Sequence, residues 1–138
     1  TFGDFMQLCD FFFINHLVYT DELLCPNQLT KEKAALLLQT LIWSMDAQEN
    51  WKRQGMETAS HEVAERFDVP HKKTIIPLLY GALTGKRHGL PLFDSVEILG
   101  KDRTRARLLS AIQYLGGLSN KKLDILTKAW HAKDCRAL

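Results

Sequence analysis

Apolar positions recur every three or four residues along most of the chain, the spacing that gathers side chains on one face of an α-helix. Phe2, Phe5, Met6 and Cys9 share such a face, with the aromatic run Phe11, Phe12 and Phe13 just beyond. After a loop containing Pro26 and Asn27, Thr30 is placed to cap a helix in which Ala34, Leu37, Leu38, Leu41 and Met45 repeat at that spacing. This helix is apolar on most sides and is expected at the centre of the fold. Trp51 precedes a further segment, where Met56, Ala59, Val63 and Phe67 line one side while Glu57, Glu62 and Glu65 face away, and Val69-Pro70 ends it.

The second half keeps the same style. Ile75 to Leu83 reads as a short apolar helix that tolerates Pro77 because it falls in the first turn, and Gly85 ends it. Pro91 starts the next helix, where Leu92, Val96 and Leu99 form a stripe that Gly100 closes. A helix from about Asp102 buries Leu108, Ile112 and Leu115 until Gly116-Gly117 breaks it. Ser119 then caps a last amphipathic helix with Leu123, Leu126 and Trp130 inward. No stretch alternates with the two-residue period of a half-buried strand. The pattern predicts an all-α helical bundle of two packed subdomains, residues 1–50 and 51–138, divided between Asp46 and Trp51.

With 138 residues and 46% apolar content, there is enough apolar surface to offset chain entropy in one compact domain or two small ones sharing a core. No apolar run approaches the roughly 18 to 20 residues that span a bilayer, and no basic start leads into an apolar core, so a soluble protein without a membrane partner is expected. Cys9, Cys25 and Cys135 make an odd count without a CxxC pair, which fits a reducing compartment better than a disulfide framework.

Charge changes the picture more. Residues 1–70 carry five basic and eleven acidic side chains, a balance of −6, whereas residues 71–138 carry thirteen basic and five acidic ones, a balance of +8. A soluble basic helical module most often meets nucleic acid, although charge alone does not choose between RNA, DNA and an acidic protein.

Most candidate catalytic motifs have a simpler account. His61-Glu62-Val63-Ala64-Glu65 is similar to HExxH, but a glutamate replaces the second histidine and no third ligand is apparent, so no metal is expected. Residues 81–87, GALTGKR, fall one residue short of a P-loop, put Arg87 where the magnesium-binding hydroxyl belongs, and follow no strand. Asp94 and Glu97 read as solvated surface, with Asp94 favoured by the helix dipole. Cys9 has no activating base nearby in sequence. No catalytic residue is assigned. The basic cluster is more informative: Lys86, Arg87 and His88 lie between two helices, and Lys101, Arg103, Arg105 and Arg107 crowd the start of the next. Cations at a helix start oppose its dipole, and an external anion such as phosphate would relieve them. The alternative is a solvated charged face.

Residues 77–85, PLLYGALTG, followed by Gly89-Leu90-Pro91-Leu92-Phe93, Leu99-Gly100-Lys101-Asp102-Arg103 and Arg107-Leu108, resemble the C-terminal anticodon-binding region of bacterial-type glutamyl-tRNA synthetases, with class I lysyl-tRNA synthetases as near relatives. Phe11, Phe12 and Phe13 resemble an aromatic run in the preceding helical subdomain of that family. The resemblance covers about residues 5–116. It implies an all-α domain of the class I synthetase anticodon-binding type that grips the anticodon stem and loop of glutamate tRNA. The catalytic domain with its HIGH and KMSKS signatures, ATP and magnesium would belong to another part of the polypeptide, in a bacterial cytoplasm or an organelle matrix, and no cofactor is expected in these residues.

The resemblance makes Tyr80 and Leu92 the expected counterparts of the family's anticodon-reading positions, and the basic cluster adds Lys86, Arg87, Arg103 and Arg105 as expected RNA-binding residues that contact the backbone. Tyr80 stands where the family often has an arginine associated with anticodon reading, and a phenol offers a stacking face rather than a bidentate fork. Asp10 stands where some relatives carry arginine, so no such role is assigned to it. Two other readings remain open: a free-standing helical RNA binder, and an interaction module docking on an acidic protein.

Overall fold

The computed structural model describes residues 17–86, 89 and 91–138. The expected first helical face, Cys9, Asp10, the run Phe11, Phe12 and Phe13, and the loop residues Arg87 and His88 lie outside the described residues.

Among the described residues there are seven α-helices and no strand: α1 Asp21–Leu24, α2 Lys31–Asp46, α3 Arg53–Phe67, α4 Ile76–Thr84, α5 Leu92–Leu99, α6 Lys101–Tyr114 and α7 Asn120–His131. The all-α expectation holds. Hydroxyl caps start three of the helices: Thr30 and Ser119, as expected, accept from the N–H groups of Lys33 and Lys122, and Thr20 accepts from that of Leu23.

Helix α2 is central. Leu37, Leu38, Leu41 and Met45 are at most 1% exposed, and each such side chain contributes about 2 kcal/mol of apolar burial. It packs between α3 and α6; α5 bridges the same two helices, and α4 leans on α1 and α6. The buried residues form one cluster that runs from Leu24 to Cys135 and crosses the 46–51 junction without a break.

Polar ties lock the elements near their ends, where carbonyls are open to side-chain donors. The Trp51 indole N–H donates to the Val96 carbonyl in the last turn of α5 (2.9 Å). The Tyr19 hydroxyl donates to the Ala82 carbonyl (2.8 Å) and the Arg107 guanidinium to the Leu83 carbonyl (2.8 Å), both at the end of α4. Beyond Gly116-Gly117, α7 and the tail clamp onto α3. The Arg66 guanidinium lies 3.8 Å from the Trp130 ring centroid and donates to the Trp130 carbonyl (2.9 Å), while the Cys135 N–H donates to the Arg66 carbonyl (2.8 Å). Trp130 and Leu123 are therefore half-buried, and Leu126 alone of the expected inward stripe is fully enclosed.

The segment leading into α4 departs from expectation. Helical backbone begins at His71, ahead of the expected Ile75, as a π turn over His71–Ile75 in which the Ile76 N–H reaches the His71 carbonyl. Pro77 has no N–H for the Lys73 carbonyl and its ring would crowd that oxygen, so a wider preceding turn accommodates it. Asn27, in a left-handed conformation within a 3-10 turn over Pro26–Gln28, donates to the Thr74 hydroxyl (3.0 Å) and fastens the π turn.

Candidate nucleic-acid interface

The basic loop starts where α4 stops. Gly85 takes the left-handed conformation (φ 71°) that ends the helix, its N–H still bonded to the Gly81 carbonyl. The Thr84 hydroxyl donates back to the Tyr80 carbonyl (2.6 Å) and accepts from the Lys86 N–H (3.1 Å), so the turn is fixed while the Lys86 side chain stays exposed. Arg87 falls outside the described residues. On the far side Pro91 occupies the N-cap of α5 and Leu92 opens the helix.

Tyr80 and Leu92 meet across this loop. Burial pushes the Tyr80 phenol above its ordinary pKa, and a hydrogen bond from the Leu92 backbone draws it partly back. The Tyr80 ring is half-buried. The Leu92 side chain is 6% exposed and belongs to the core, because it is the first member of the apolar stripe of α5.

The cations of α6 divide into two groups. Arg107 is half-buried and caps α4; burial, and then the nearby Arg103, lower its pKa. Arg103 and Arg107, one turn apart, thus lie on the side of α6 that meets α4. Lys101 and Arg105 lie on another side, where both meet Asp46: Lys101 Nζ is 3.9 Å from one carboxylate oxygen and Arg105 bonds the other. Asp46 is the last residue of α2, so these two cations also sit at the negative end of that helix dipole. The external anion expected for the start of α6 is, for Lys101 and Arg105, a carboxylate of the protein itself. The separation follows from helical geometry, since positions two apart point in different directions.

The other candidate motifs have structural partners. His61 stacks on His71 with ring centroids 3.6 Å apart, and Glu62 accepts from the Ser44 hydroxyl (3.1 Å) and faces Arg66 (3.5 Å). Asp94 pairs with Arg53 (3.1 Å) and Glu97 with Lys52 (3.8 Å). Among the described residues no group of three or more His, Cys, Asp or Glu side chains is placed to hold a metal. Sequence reasoning missed Tyr19 and Asp46, whose partners are 63 and 59 residues away; no local signal marks either.

The family described as an anticodon binding domain matches residues 1–112. A glutamate–tRNA ligase from Protochlamydia amoebophila (strain UWE25) is 54% identical over 138 residues, which is 100% of this chain and 28% of that protein. A protein of the same name from Chlamydia trachomatis serovar L2 is 46% identical over 129 residues, 94% of this chain and 26% of the relative. The chain therefore spans little more than a quarter of the length of these relatives. Among solved structures, a glutamate tRNA ligase from Elizabethkingia meningosepticum in complex with its amino acid shares the fold with a TM-score of 0.62, at 24% identity over 76% of this chain and 20% of its own. By a family match over most of its length, joined to a helical architecture found in a solved relative, the chain belongs to the anticodon-binding domain family.

Proposed function

We propose that this chain is the anticodon-binding portion of a glutamate–tRNA ligase. It grips the anticodon stem and loop of glutamate tRNA, while a catalytic domain elsewhere in the same polypeptide attaches glutamate with ATP and magnesium. The observation that carries this reading is the 54% identity along the whole chain to a relative of that name. The bacterial origin of the relatives supports a place in a bacterial cytoplasm.

The site geometry suits the role. Tyr80 presents a ring beside a turn that holds Lys86 outward, and Arg103 approaches the same end of α4 from α6. Arg87 joins them on the evidence of sequence. An aromatic face stacks on an unpaired base of any identity, and the cations set register on the RNA backbone. Leu92, the other residue carried by the family pattern, brings its backbone beside the Tyr80 phenol. The charge of Arg105 is already matched by Asp46, so we place it behind this surface. Competition binding with the full-length protein tests the proposal: glutamate tRNA is expected to be preferred over an unrelated tRNA and over an acidic protein, with affinity falling as salt rises. Equal affinity for all three overturns it.

A further inference from the structure

The accessible positions of the π turn and α4 fall on one line. Lys72 and Lys73 are exposed, Ile76, Pro77, Tyr80 and Thr84 are half-buried, and every other residue from Thr74 to Leu83 is buried. Steps of three and four keep the accessible set on one face, and Lys86 stands exposed just past the helix end. The result is a ridge with lysines at both ends and apolar and aromatic groups between them. From Lys72 to Lys86 it measures about 20 Å at the helical rise, the axial length of about six phosphates along a stacked strand.

Lys72 and Lys73 occupy the first turn of a helical segment, where free N–H groups make cations unfavourable. At α6 the same conflict is answered by Asp46. Here no carboxylate among the described residues lies within ion-pair reach of Lys72, Lys73 or Lys86, although pairs engage lysines elsewhere on the surface. Their charges are directed to solvent beside an anion-favouring helix start.

We propose that Lys72 and Lys73 form a second phosphate-binding point, so that an RNA strand runs along the outer face of α4 from Lys86 past Tyr80 to the π turn. Ile76 and Pro77 supply the dry contact in between, and the fixed π turn holds the lysine pair in line with Tyr80. The proposal rests on the RNA-binding reading above and extends it beyond the loop. Lysine is a point charge without the fork that reads base edges, so this contact positions the strand and carries no sequence preference.

The test measures tRNA binding by the full-length protein between 50 and 200 mM salt for three variants: the Lys72→Gln/Lys73→Gln double variant, Lys86→Gln, and Lys121→Gln as a control on the exposed surface of α7. The double variant is expected to flatten the slope of log affinity against log salt by about 1.4, from about 0.7 per lost phosphate contact, equally for glutamate tRNA and an unrelated tRNA. If Lys86→Gln flattens the slope while the double variant matches Lys121→Gln, the ridge is refuted and the loop contact stands. If neither changes it, the RNA-binding reading itself falls and the ridge with it.

Discussion

The phenol of Tyr80, in the last part of α4, lies beside the backbone of Leu92, the first residue of α5, close enough to hold its pKa below what burial alone would give. In the proposed RNA-bound state the half-buried ring offers its face to a base. Tyr80→Phe keeps the ring and is expected to change tRNA affinity less than about threefold. Tyr80→Ala removes the stacking surface and should weaken binding by about 1 to 3 kcal/mol. Equal losses of affinity in the two variants would rule out stacking.

Most of the described helices were legible because their signals are local, although the short α1 was not expected. Thr30 and Ser119 announce N-caps, Gly85 and Gly100 announce ends, and the leucines of α2 repeat within one turn of each other. The π turn was not legible, since it depends on how Pro77 and the distant Asn27 are accommodated together. The site was legible in part. Lys86 and Tyr80 are marked by the loop and the family pattern, but the sorting of Arg103 from Arg105 requires knowing that α2 ends beside α6. The burial of Leu92 was legible from its place at the head of the α5 stripe.

Gly81 is required by packing rather than by backbone conformation. A Cβ built there would lie 2.9 Å from the Leu23 carbonyl oxygen and 3.1 Å from its Cγ, where α1 crosses α4. Alanine would gain about 1 kcal/mol in helix propensity, but the clash is with backbone that must move, at about 1 to 3 kcal/mol. Gly81→Ala should therefore shift the urea midpoint downward. Gly55→Ala, whose Cβ would meet nothing nearer than 3.4 Å, should leave the midpoint unchanged or raise it. A raised midpoint for Gly81→Ala would show that α1 yields freely.

His71 makes stability depend on pH. Burial, then the stacked His61, hold its imidazole below the ordinary value of 6.5, and Glu57 pulls the other way. The Ser60 hydroxyl donates to the Glu57 carbonyl (2.6 Å), so at 2.8 Å it accepts the Nε2 proton of His71, and further protonation puts charge into the stack. Because the folded-state pKa is depressed, acidification protonates the unfolded chain first. The stabilisation is complete above the ordinary histidine range and is lost as pH falls through about 6.5 toward the folded value. The denaturant midpoint should fall between about pH 7.5 and 5.5, and fall less in His71→Gln. Identical pH slopes in the two proteins would remove His71 from the account.

Asp46 draws Lys101 and Arg105 to the end of α2, and the three side chains are partly exposed. Water and salt screen such pairs, so Asp46→Asn and Arg105→Gln should each cost less than about 1 kcal/mol, and the double variant should cost little more than either alone. The consequence for RNA is sharper. Releasing counterions requires a cation that the protein has not already neutralised, so Arg105→Gln is expected to leave the salt dependence of tRNA binding near that of the parent, whereas Lys86→Gln flattens it by about 0.7 to 1. In the Asp46→Asn background the same Arg105→Gln change removes an unmatched charge. If it flattens the salt dependence only there, Asp46 holds Arg105 away from RNA. If it does so equally in both backgrounds, RNA displaces the carboxylate, and Arg105 belongs on the binding surface after all.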